Sequence, residues 1–269
     1  MSKKREGISS KSNTSKKKSI QRKRFNLHNI QLLLRREFSS AFNYYKIQIT
    51  LLVQVFVQVL ILMFIITNTD LLNLSFDLLQ KFNLCWISIL AMLFSSTTIS
   101  SESESKVIDF IKLTPISEME FLFSKLSFIY IQYLLFSMVY LITMYLFSMP
   151  FGLYVFRVSV ILLFGPYLAV FTILVLLLVS ISSLTKNKFV PVGIGCFMPI
   201  YIVFLNSMIA GRLGIKGINP AFILNIELLK IRAGTNPNPT LWSVILFVII
   251  IQIIALIFII KRYWKGVKT

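Results

Sequence analysis

The chain has 269 residues, of which 56% are hydrophobic and 14% charged, with a mean hydropathy of +0.78 and a formal net charge of +18. That is too apolar for a soluble domain, and the continuous apolar runs are too long for the alternating strands of a β-barrel, which leaves an all-α polytopic membrane protein. The length admits about six spans of ~20 residues. Cys85 and Cys196 fall in spans near opposite faces, which argues against a disulfide, and with a single His they support no metal site.

Residues 1–24 read SKKRE, SKSNTSKKKS and QRKR, with no apolar run of the kind a signal peptide carries. A disordered basic cytoplasmic tail is expected, attracted to anionic lipid. Nucleic-acid binding is the alternative and is set aside, because a basic tail ahead of a membrane span reports orientation. Residues 25–269 then form one transmembrane domain. Across 25–45, Leu27, Ile30, Leu34, Phe38 and Phe42 recur every three or four residues around Arg35, Arg36 and Glu37. This predicts an N-terminal amphipathic helix at the inner interface, with His28 solvated on its surface.

The spacing predicts spans at about 47–66, 82–99, 126–149, 154–183, 189–209 and 241–260. Gln54 and Gln58 lie one turn apart in the first, and amides in hydrocarbon need partners, so that face meets other helices or lines a pathway. A short outer loop at 67–81 leads to the second span, with Trp86 near the outer interface. Lys125 is placed to snorkel at the inner edge of the third. Gly165-Pro166 should kink the fourth, and Pro191, Gly193, Gly195 and Pro199 should bend the fifth while permitting close packing. Between the last two spans, Asn219-Pro220 starts a short outer helix, with Phe222 and Leu229 as gate residues or as plain interfacial anchors. Lys261, Arg262, Tyr263 and Trp264 form an interfacial stop.

Between the second and third spans lies the charged segment 101–117, SESESKVIDFIKLTPIS. Ser101 with Glu104, and Ser117 with Glu120, have capping-box spacing. The first box predicts a short helix with Val107, Phe110 and Ile111 on one face, stopped by Pro115. Docking on another protein and lying on lipid headgroups are the two readings of that face. In the docking reading Glu102 and Glu104 are steering charges at the rim. With both termini inside, most of the 28 Lys and Arg fall on the inner side, leaving Lys81, Arg157, Arg212, Lys216, Lys230 and Arg232 outside. Residues 101–125 are then cytoplasmic.

Three stretches together resemble the ABC-2 type permeases, the membrane subunits of ATP-driven exporters. LLLRREFSSAFNYYKIQ resembles the family's interfacial helix and first span. ISSESESKVIDFIKLTPISEMEFLFSKL resembles its signature loop, an acidic run, an apolar stretch, a Thr-Pro-Ile-Ser and a Lys in that order. SISSLTKNKF is similar to its short inner loop between the fourth and fifth spans. Where the family carries Gly-Thr after the acidic run, this chain has Ser105-Lys106-Val107. The resemblance implies that 101–117 is a coupling helix contacting a separate nucleotide-binding subunit, which supplies ATP and Mg. It also implies pairing with a second permease subunit, as homodimer or heterodimer, in the cell membrane.

The chain lacks G-x-x-x-x-G-K-[ST], so the usual phosphate-cradling loop is missing and any ATP hydrolysis falls to a partner. The predicted spans hold almost no acids, bases or His at mid-depth, which argues against a membrane enzyme. A non-transporting scaffold or immunity protein against a membrane-active peptide is the alternative to an exporter. Few charges along the spans suit an apolar or amphipathic cargo such as a peptide, lipid or drug.

Overall fold

The computed structural model describes residues 26–43, 45–67, 72–148, 160–161, 164–185, 187–201 and 239–265. The basic tail, Phe222, Leu229 and the expected outer helix lie outside them. Every regular element among the described residues is a helix. In chain order they form α1 (Leu27–Asn43), α2 (Lys46–Thr67), α3 (Leu72–Ser95), α4 (Ser100–Glu104) and α5 (Val107–Leu113). These are followed by α6 (Glu118–Ser148), α7 (Pro166–Leu184), α8 (Phe189–Ile200) and α9 (Pro239–Lys265). Among them five helices are long and apolar enough to cross a membrane, and α8 is a shorter apolar helix.

α1 is amphipathic, as its spacing predicts, but the buried face is centred on Ile30 and Leu33, with Leu27 69% exposed. Tyr45, in the left-handed region at φ 53°, turns the chain into α2. α7 forms the hub, packing against α3, α8 and α9, while α6 carries α1 and α2. Tyr167, Phe171, Val175 and Val179 on α7 recur at i+4 and are fully buried. Phe171 stacks on Tyr133 of α6 at 4.4 Å between ring centroids and meets Tyr130 edge-on. Such ring pairs are each worth about 0.5–1.5 kcal/mol beyond their burial. By contrast α2 and α9 turn much apolar surface outward, as at Leu52 and Phe258, which are 71% and 70% exposed.

Several element boundaries differ from the sequence expectation. α3 begins at Leu72, so Lys81 lies in a helix rather than in an outer loop. α6 is a single helix of 31 residues, about 46 Å long and well beyond a ~30 Å hydrocarbon core. Its first turns, including Lys125, belong with the loop that precedes them. Gly165 does not kink a continuous helix. With φ −119° and ψ −100° it lies outside helical geometry, and α7 starts afresh with Pro166 at its first position. Pro191 sits in the first turn of α8, where a missing N–H loses no helical bond, and Pro199 lies near that helix's end. Close packing at α8 comes from Gly195: a Cβ there would lie 2.5 Å from Met92 Cγ of α3, whereas Gly193 has open space around it. Trp264 is not an exposed interfacial anchor but is buried against Phe121 of α6, with ring centroids 5.7 Å apart.

Candidate functional site

The ends of α3, α6, α7, α8 and α9 converge around the segment between α3 and α6. Its polar approach is stabilised locally. The hydroxyls of Ser96, Thr98 and Ser101 donate to the carbonyls of Met92, Phe94 and Thr97 at 2.6, 2.6 and 2.5 Å, and Ser95 donates to Ala91 in the same way. This i−4 bonding lets a run of Ser and Thr pack in an apolar bundle without unmet hydroxyls.

The first capping box does not form, because the Ser101 hydroxyl is turned back to Thr97. The start of α4 is capped from another helix instead: the N–H groups of Ile99 and Ser100 donate to Ser182 Oγ of α7 at 3.2 and 3.0 Å. The second box forms reciprocally, Ser117 N–H to Glu120 at 2.7 Å and Glu120 N–H to Ser117 Oγ at 3.3 Å. Glu120 also accepts from the Asn26 N–H and the Asn29 amide, tying the start of α1 to the start of α6.

The expected single short helix is two. Lys106, left-handed at φ 57°, separates α4 from α5. That break rotates α5 so that Ile108 and Ile111 are buried, at 2% and 5%, while Phe110 and Leu113 stand out at 71% and 85%. The predicted common face of Val107, Phe110 and Ile111 is therefore divided: Val107 is half-buried, Ile111 is in the protein's own core, and Phe110 is outside. Pro115 is exposed and follows an extended Thr114 (ψ 164°) that ends α5.

Glu102 is not a rim charge. It is 8% exposed, and its Oε1 accepts from Lys125 Nζ of α6 at 2.7 Å and from the Arg36 guanidinium of α1. Lys125, expected to snorkel, is 2% exposed and also holds Glu37 at 2.9 Å, while Arg36 pairs with Glu37 at 2.7 Å. Burial by itself would push the Glu37 carboxyl up, but Lys125 and Arg36 together hold it below the ordinary carboxylate range. This quartet fastens α4 to α1 and α6. Sequence reasoning missed it, although Lys125, set among Phe121, Leu122, Phe128 and Ile129, carried a signal: a lysine on an apolar face needs a buried acid. Glu104, by contrast, is exposed and pairs with the half-exposed Lys188 at 3.3 Å, a contact of little energetic weight.

Gln54 and Gln58 are both buried, at 1% and 0%. Gln54 donates to the Phe136 carbonyl and accepts from Trp86 Nε1, each at 3.0 Å, joining α2, α3 and α6 as interhelical packing requires. Trp86 is thus engaged inside the bundle. Beside it, Asn83 donates to Tyr140 at 2.9 Å around a void of about 20 Å³, room for about one water. The Gln58 amide has no hydrogen-bond partner among the described residues. Gly165 precedes α7, Pro166 opens it, and Pro191 and Pro199 lie on α8. His28 is exposed, Cys85 and Cys196 are free thiols, and among the described residues no His, Cys, Asp or Glu group is set to hold a metal ion. No protein-family model matches the chain, and no curated protein is significantly similar to it.

Proposed function

We propose that the chain is the membrane subunit of an ATP-driven exporter of the ABC-2 type, with α4 and α5 as the element that a separate nucleotide-binding subunit pushes. The observation that carries this reading is the mounting of Phe110 and Leu113. They are 71% and 85% exposed, about one turn apart, beside the exposed Lys106 and Asp109. Exposed apolar side chains in polar surroundings mark a surface that a partner covers. The helix that presents them is held from beneath by Ile108 and Ile111, and its neighbour α4 by the quartet and by Ser182. Such a support transmits a push instead of absorbing it.

In this reading the chain has six spans, the fifth being the apolar run 189–209 that begins with α8, and it sits in the cell membrane with both termini cytoplasmic. The gathering of Arg35, Arg36, Lys106, Lys125, Lys188, Lys261 and Arg262 at the α4–α5 end supports that orientation. ATP and Mg are bound by the partner subunit. A second permease subunit, identical or related, completes the transport unit, and closure of the ATPases rocks the spans as rigid bodies. The cargo is apolar or amphipathic, in keeping with the few charges along the spans.

Copurification tests the reading. Phe110→Ala and Leu113→Ala each remove an exposed anchor without disturbing the core, and truncating such an anchor typically costs ~2 kcal/mol, about a thirtyfold loss of affinity. Both variants should reach the membrane at normal abundance while retaining much less ATPase subunit. Undiminished ATPase in both, or none with the unaltered chain, would leave a scaffold or immunity role as the better account.

A further inference from the structure

α9 is the least enclosed of the five candidate spans: 11% of the stretch Trp242–Trp264 is buried. Its middle is apolar except at Gln252. That residue lies about 15 Å along the helix from Trp242, halfway through a ~30 Å hydrocarbon core. Gln54, Gln58 and Gln132 are enclosed in the bundle, at 1%, 0% and 1% exposed. Gln252 is only half-buried. Its Oε1 is covered by the chain itself, without a hydrogen-bond partner among the described residues. Its Nε2 is not covered, and no acceptor among those residues takes it up.

An amide N–H turned toward hydrocarbon has no water to bond, so another helix is needed to supply an acceptor. α2 shows how this chain meets the same need: Gln54 Nε2 donates to the main-chain carbonyl of Phe136 on α6 at 3.0 Å. The surface beside Gln252 suits an approaching helix. Val244, Val248, Ile251, Ala255 and Phe258 follow one another at four and three residues and are all exposed. That spacing makes one stripe, along which two parallel helices interlock. Ala255 lies about one turn from Gln252, and its small side chain lets a facing backbone come within reach of the amide.

Depth decides whose helix that is. Two copies of one chain, related by a twofold axis along the bilayer normal, present Gln252 and Ala255 at the same height. Each copy then supplies the donor, the site of close approach and the carbonyl that the other requires. We infer that α9 is a self-association surface, on which two copies pack along the stripe from Val244 to Phe258. Gln252 Nε2 of each copy donates to a main-chain carbonyl of the other, and the covered Oε1 takes no part. The contact rests on this stripe alone and needs no ATPase partner, so it holds for an exporter and for a scaffold alike.

The purified full chain, labelled with donor and acceptor fluorophores, is reconstituted in phosphatidylcholine vesicles and followed by energy transfer as lipid is added. Transfer above the level of random proximity is expected. Gln252→Leu removes the donor group from both copies and should weaken association about tenfold. Ala255→Trp wedges the stripe from outside; it should abolish association and decides the matter where Gln252→Leu fails to fold. Single cysteines in a chain whose Cys85 and Cys196 are replaced by Ser locate the face. Ile251→Cys and Ala255→Cys should cross-link under copper phenanthroline. Ile250→Cys and Ile253→Cys, also exposed but away from the stripe, should not. No transfer above random proximity, undiminished association in either folded variant, or cross-linking from all four positions alike overturns the inference. The first result would leave lipid or an unrelated membrane protein on this face. Self-association through the stripe with no ATPase subunit bound would count against the proposed function and leave this contact standing.

Discussion

The Lys125 ammonium lies 2.7 Å from the Glu102 carboxylate and 2.9 Å from that of Glu37, so one buried cation on α6 holds acids from α4 and α1 at once. Taking three charges out of water is expensive, and their mutual attraction offsets that only while the set is complete. The arrangement is therefore sensitive to loss of any one member, and it makes the position of α4 depend on that of the interfacial helix.

Lys125→Met should destabilise the protein by about 3–5 kcal/mol, because two acids are left without their buried counter-charge. The double variant Lys125→Met, Glu102→Gln removes one of those stranded charges and should recover part of the loss. Thermal denaturation followed by size-exclusion chromatography in detergent measures both. A single variant as stable as the wild type would show that Lys125 is not a structural counter-ion.

The quartet should also give the protein an acid limb. The Glu37 carboxyl is held below its ordinary value of 4.5 by Lys125 and Arg36, against the upward push of burial. A group whose pKa is lowered on folding contributes stability that is present above the unfolded value and lost as pH falls through the folded one. The melting temperature should change little from neutral pH down to about 5 on account of this group, then fall below about 4.5. Glu37→Gln should flatten that part of the profile while lowering stability at neutral pH. An unchanged acid limb in a folded Glu37→Gln protein would remove Glu37 from the account.

Orientation is tested by labelling single cysteines in a chain whose Cys85 and Cys196 are replaced by Ser. Residues at 103 and 186 should be shielded from an impermeant maleimide added outside whole cells and should react once the cells are opened, whereas 236 should react from outside. Labelling of 103 from outside would invert the topology and withdraw the coupling role from α5.

How much was legible in the chain depends on how local each feature is. The reciprocal bonds of Ser117 and Glu120 were readable because they need only residues three apart and the start of one helix. The end of α5 before Pro115 was readable for the same reason, since proline restricts its immediate neighbour. The box at Ser101 failed although its spacing is the same. There the preceding turn offered the Thr97 carbonyl to the hydroxyl, and Ser182, 82 positions away in sequence, took over the capping of α4. The face of α5 was misjudged because its phase is set at Lys106, whose left-handed conformation is not marked by a glycine or asparagine in the sequence.

Composition and the length of the apolar runs by themselves determined that this is a helical membrane protein, roughly where most of its long helices lie, and that Gln54 and Gln58 had to face other helices or a pathway rather than lipid. Such features follow from the cost of exposing backbone and amide groups to hydrocarbon, which every segment meets independently of its neighbours. Which face of each helix is buried was left to the tertiary structure. In a bilayer both faces are apolar, so Phe171 in the core and Phe258 on the surface are chemically alike and periodicity does not separate them. The quartet of Arg36, Glu37, Glu102 and Lys125 is the clearest instance. Its members come from three helices far apart in the chain, and no local rule pairs them. Only the packing of α1, α4 and α6 brings them within reach, because charges removed from water are stable only beside their complements.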